Sequence, residues 1–228
     1  MLYLMVTIMI SALSWSSLAR AGEVLLDHTV PQAGVTTVWI KHEEGTVRIE
    51  GMETETIHVR AEKVKGGLSC LTKVRTEGDT VLVKTAHALF SGLSCEVDLV
   101  VTMPRTLAVR ADSGASRVQL AHLRGPLHIN MGAGHVRGTI DSEDTHIKLG
   151  AGHVDLVWGH VPQRGILAIK AGAGVVTLTF PRGTTIRPDL VQGFGRIINA
   201  LQTSSTSGFL LQAKVGFGSV TLQYPQSS

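Results

Sequence analysis

A short glycine phrase returns six times along this chain, and its spacing leaves few architectures open. It reads Gly114-Ala115-Ser116-Arg117-Val118, Gly132-Ala133-Gly134-His135-Val136 and Gly150-Ala151-Gly152-His153-Val154. It continues as Gly172-Ala173-Gly174-Val175-Val176, Gly193-Phe194-Gly195-Arg196-Ile197 and Gly216-Phe217-Gly218-Ser219-Val220. Successive first glycines lie 18, 18, 22, 21 and 23 residues apart. A period near twenty residues marks a chain built from stacked copies of one small unit. Such a unit cannot bury its own apolar face and gains its core from its neighbours. The surface repeats with the fold, so the expectation is a scaffold with a repeated face rather than an enclosed pocket.

Around these phrases the chain alternates with period two. Val47 and Ile49 alternate with Arg48 and Glu50, while Ile57, Val59 and Ala61 alternate with His58, Arg60 and Glu62. This is the strand signal, and no helical stripe interrupts it after residue 21. The chain is 43% hydrophobic but only 4% aromatic, which suits a narrow interior filled by aliphatic ladders. The fold expected is all-β: a parallel, β-helix-like solenoid of repeated 18–23-residue coils. Ile129 pairs with Val136, Ile147 with Val154 and Ile169 with Val176 across each glycine phrase. Glycine there suits a corner where one short strand turns into the next. Alternation from Val136 and Val154 puts His135, Arg137, His153 and Asp155 outside. A hexapeptide β-helix is disfavoured because the apolar positions do not recur every six residues. Calcium-binding nonapeptides are disfavoured because Asp is missing after the glycines. Residues 107–224 are read as the regular coils, and residues 22–106 as less regular opening coils with cysteine-bearing loops.

Residues 1–21 read as a signal peptide. Leu2 to Leu13 form an apolar run, serines follow, and Ala19-Arg20-Ala21 precedes Gly22 as a cleavage site. An uncleaved anchor is the alternative, since residues 2–19 carry no charge. With cleavage, residues 22–228 form a single exported domain, periplasmic, cell-surface or secreted, with no membrane span in the mature chain. Cys70 and Cys95 then favour a disulfide. Closing a loop of about 25 residues contributes roughly 3–4 kcal/mol on the loop-entropy model. The formal net charge is only +3, and no basic stripe interleaved with aromatics is visible along the sequence, which argues against a nucleic-acid partner.

The segment Gly45-Thr46-Val47-Arg48-Ile49-Glu50-Gly51, followed by Thr56-Ile57-His58-Val59-Arg60-Ala61, resembles the opening of a family of bacterial envelope domains. These are the exported β-strand-repeat domains provisionally named adhesins, and the Gly-x-Gly-x-Val ladder is similar to their body. The resemblance covers roughly residues 36–224. Their corner phrase is often Gly-Ser-Gly-Asp-Val, whereas here the Asp position holds His135, His153, Val175, Arg196 or Ser219. The resemblance implies an exported protein of a family with no established enzymatic activity.

Two histidine pairs fall one coil apart: His128 with His146, and His135 with His153. Matched coils would bring equivalent residues to about 4.7–4.9 Å, where imidazoles could share Zn²⁺, Cu²⁺ or Ni²⁺. The rival is a stacked polar ladder on a solvated face, and no Cys or Glu completes a recognised ligand spacing. Ala171-Gly172-Ala173-Gly174 fails as a dinucleotide turn because a strand ended by Pro181 follows it. Hydrolase signatures are missing from the sequence, and the cluster of Asp141, Glu143 and Asp144 suits a solvated loop. Phe194 and Phe217 read as a plug closing the C-terminal end, with an exposed aromatic patch for a partner as the alternative. No cofactor is expected. The function expected is non-catalytic binding to an envelope glycan or protein, through a face carrying His128, His135, Arg137, His146, Lys148, His153 and Asp155. The alternatives are a metal-binding or sensing module built on the histidines and a glycan-acting β-helix enzyme.

Overall fold

A computed structural model describes residues 23–65, 70–87 and 95–226. The signal peptide expected over residues 1–21, and the residues of the cysteine phrases at 67–69 and 92–94, lie outside the described residues. The chain is all-β, with no helix among the described residues. Its strands are β1 (Glu23–Pro31), β2 (Thr37–Met52), β3 (Thr56–Lys65), β4 (Cys70–Glu77), β5 (Thr80–His87), β6 (Glu96–Pro104) and β7 (Ala108–Leu123). They continue as β8 (Leu127–Ile140), β9 (Asp144–Trp158), β10 (Gly165–Thr179), β11 (Thr185–Asn199), β12 (Gln202–Thr203) and β13 (Phe209–Gln223). The sheet is unclosed and runs in the order β1-β3-β6-β2-β7-β8-β9-β10-β13-β11-β12, with the β4–β5 pair attached to β2 through β5.

From β2 to β11 the neighbours in that order are parallel and in register. The glycine phrase does not separate two strands as expected; it sits in the middle of one long strand and bends it. On β9, Ile147 and Val154 are both buried although seven residues separate them. Plain alternation would put them on opposite faces. The bend, centred where Gly152 holds φ at +135°, restores both to the interior. A Cβ at Gly152 would also run into the backbone carbonyl of Gly134 on the preceding strand. Glycine is therefore needed twice over, for its backbone angle and for close strand approach.

The interior consists of aliphatic ladders. Val47, Val118, Val136, Val154, Val176 and Val220 stand in register on successive strands and are fully buried. Each contributes about 1.5–3 kcal/mol of apolar burial. Trp158, Phe180 and Phe209 pack together in the core beside β9, β10 and β13, with Trp158 stacked on Phe180 at 4.8 Å.

Both ends depart from the sequence reading. The opening region is partly antiparallel: β1 pairs β3, β3 pairs β6, and β4 pairs β5. The first half of β2 takes β5 as its neighbour and the second half takes β6. The Cys70–Cys95 disulfide, with a Cα–Cα distance of 5.7 Å, ties the start of β4 to the residue before β6. At the other end, β13 inserts between β10 and β11, reversing the sequence order. Pro188 supplies the physical reason, since a residue with no N–H is tolerated on an edge strand and weakens a central one. β11 is largely solvent-exposed, and Ile197, at the ladder position of Val220, stands open at 38% exposure.

Candidate functional site

Because each long strand bends at its glycine, its outward side chains fall on two faces. His128, His146 and Lys148 precede the bend, whereas His135, Arg137, His153 and Asp155 follow it. The single face expected for these residues is thus two faces meeting at a glycine ridge. The reason lies in the change of alternation at the corner.

Within each face the expected pairs come together. His128 and His146 stack with ring centroids 4.9 Å apart and planes 9° apart. Asp144, at the start of β9, lies 2.8 Å from His146 Nε2 and 4.0 Å from His128 Nε2, close enough for ion pairing. Across the ridge, His135 and His153 meet edge to face at 5.8 Å. His135 Nε2 is hydrogen-bonded to Asp155 Oδ2 at 2.8 Å, and Arg137 stands opposite Asp155 in the ladder. Among the described residues, no group of three or more His, Cys, Asp or Glu is disposed to hold a metal ion. Lys148 stands in register with Asn130 on one side and Lys170 on the other.

Phe194 and Phe217 are not a plug. They are 72% and 61% exposed and stack on each other at 5.3 Å along the ridge. They extend a ladder of Ala115, Ala133, Ala151 and Ala173, which faces outward at every strand. The residue before the positive-φ glycine points away from the core, so an aromatic side chain there cannot close it.

One polar cluster was not foreseen. His42 is only 3% exposed, and its Nε2–H donates to the Val97 carbonyl at 2.8 Å. Its Nδ1 then accepts from the Ser116 hydroxyl at 2.9 Å, while Ser113 donates to Ser116. Burial pushes the imidazole below its ordinary value, opposed by the Val97 carbonyl and the Asp98 and Glu43 carboxylates. Ser116 occupies the register position that Gly45 and Gly134 fill on the adjoining strands. The signal was present in the sequence: His42 continues the inward alternation Val38, Ile40. A Ser–His contact suggests a nucleophile, but Ser116 is buried and its hydroxyl is spent on His42, whose other nitrogen holds a backbone carbonyl rather than an acid. The geometry is that of a satisfied core network.

No family model matches this chain, and no curated protein matches it. Among solved structures, a protein from Clostridium sporogenes ATCC 15579, provisionally described as a cell adhesion protein, matches with a TM-score of 0.51. The match spans 88% of this chain and 99% of that one at 12% identity, so the likeness is one of fold. Two proteins provisionally described as adhesins match at lower scores. The one from Bacteroides fragilis NCTC 9343 has a TM-score of 0.28 at 9% identity, over 86% of this chain and 96% of its own. The one from Parabacteroides merdae ATCC 43184 has a TM-score of 0.32 at 7% identity, over 90% and 97%.

Proposed function

We propose that this chain is an exported, non-catalytic binding or scaffolding protein of the bacterial envelope, built as a β-solenoid-like stack of 18–23-residue coils. The observation that carries this reading is the in-register repetition of outward side chains on parallel strands. A repeated face suits a partner that itself repeats, because many weak contacts add through effective concentration. The fold shared with the provisionally described cell adhesion protein is consistent with this reading, as is the Cys70–Cys95 disulfide, a bond typical of oxidising compartments. The partner is an envelope glycan or protein. A second reading, a metal contact through histidine pairs, rests on the adjacency of His128 to His146 and of His135 to His153 on neighbouring strands.

Co-sedimentation of purified residues 22–228 with whole cells, peptidoglycan and outer-membrane fragments tests both. Sedimentation that survives EDTA is expected for a binding face. Sedimentation lost with EDTA would transfer the role to the histidine pairs, and none in any arm would overturn the envelope reading.

A further inference from the structure

We propose that the lysine ladder Lys148–Lys170–Lys214, with the groove beside it, binds an acidic polysaccharide whose carboxylates are taken up by successive strands. This rests on the reading of the chain as a face-presenting binder and names the chemistry that one face selects. Lys148 of β9, Lys170 of β10 and Lys214 of β13 stand in strict register on adjacent parallel strands. Neighbouring strands are about 4.8 Å apart, so three exposed ammonium groups follow one another at roughly that interval.

Like charges directly opposite each other destabilise a sheet, and nothing in the ladder offsets them. Asn130 flanks the lysines on one side and Val191 on the other. Among the described residues none of the three lysines makes an ion pair. The acids nearby are committed elsewhere. Asp189 accepts from Gln212 at 3.0 Å, Asp144 stands against His146, and Asp112 accepts from the Trp39 indole at 2.7 Å. The cation row resumes past Asp112 with Lys41, Lys84 and Lys73 in register on β2, β5 and β4. Two rows of three lysines therefore share one register line, separated by Asp112 and Asn130, although no basic run exists in the sequence.

Lys148, Lys170 and Lys214 line an open groove of about 540 Å³, together with the backbone of Gly150, Gly172 and Gly216. Glycines line the ridge side of the groove, with the exposed Phe194 and Phe217 just beyond Gly193 and Gly216, and a chain lying across the strands can reach every ammonium group. A linear polymer with a charge on each unit meets that pattern, since one sugar residue is comparable in length to the strand spacing. Nucleic acid fits less well, because single-strand binders interleave aromatic platforms with their cations. Here Phe194 and Phe217 stack on each other beyond the groove rather than between the lysines, and Trp39, on the same face, is covered by Lys41 and Arg110 at 3.9 and 4.3 Å.

The test is titration of the full exported chain with polygalacturonate oligomers, against neutral dextran and single-stranded DNA. Two variants of equal charge loss are compared: Lys148→Gln/Lys170→Gln/Lys214→Gln on the ladder, and Arg48→Gln/Arg117→Gln/Arg196→Gln on the other face. The ladder variant is expected to lose affinity about tenfold or more while the other stays within about twofold. Binding should weaken steeply with salt for the wild type, and less so for the ladder variant. Equal losses in both variants, no binding to polygalacturonate, or tighter binding to DNA would each overturn the proposal. Thermal unfolding of both variants controls for folding. A chain that sediments with envelope fractions yet ignores polygalacturonate overturns the ladder and leaves the binding role standing. A chain that binds polygalacturonate yet sediments with nothing does the reverse.

Discussion

At the scale of single residues, His42 shows how a repeat tolerates an exception. Its register partners further along the sheet are Ser113, Met131, Leu149 and Ala171, so an imidazole occupies a core position. Ser116 compensates by giving up the glycine of the repeat for a hydroxyl that His42 can accept from. Because burial lowers the folded-state pKa below 6.5, the unfolded chain takes up a proton that the fold resists. This contribution is complete above the unfolded value and is lost as pH falls from there toward the folded value. Denaturant titrations are expected to show stability falling by up to about 1.4 kcal/mol per pH unit over part of the interval from about pH 6.5 downward. His42→Met, which copies Met131, is expected to flatten that fall. Parallel curves for wild type and variant would show that His42 is not the group responsible. His42 was legible as a polar residue in an inward series, but its partners Ser116 and Val97 are not, because only strand register brings them together.

At the scale of the strand, the glycine bend decides what the molecule can display. Apolar residues seven apart made the core ladders readable from sequence, since Ile129, Val136, Ile147 and Val154 had to share an interior. The same odd spacing hides the split of the outward residues, because alternation counted through the bend gives the wrong face. Gly152→Val tests the bend directly. A β-branched residue at φ +135°, aimed at the Gly134 carbonyl, is expected to cost about 3 kcal/mol or more. A loss below about 1 kcal/mol in equilibrium unfolding would mean that the strands separate easily at the ridge. Pro188 was a readable mark of an edge strand, and with it the exchange of β11 and β13 could have been anticipated.

At the scale of the whole molecule, repetition turns scattered residues into continuous surfaces. Lys148, Lys170 and Lys214 lie in three separate repeats; Lys148 and Lys170 meet on consecutive strands, and the insertion of β13 beside β10 adds Lys214. A count of charges along the chain gives a net of +3 and no stripe; strand register gathers the lysines on one face and leaves mixed charges such as Arg137 and Asp155 on the other. The opening strands and the disulfide hold one end of the stack together, while β11 leaves the other end open.

The most direct measurement blocks each face in turn and follows sedimentation with envelope fractions. Ala168→Trp places bulk on the face that carries the lysines, between His146 and Gln212. Thr177→Trp does the same on the opposite face, between Asp155 and Thr221. Sedimentation is expected to be lost with Ala168→Trp and kept with Thr177→Trp. Wild-type sedimentation by both variants, or its loss with Thr177→Trp alone, would contradict binding through the lysine-bearing face.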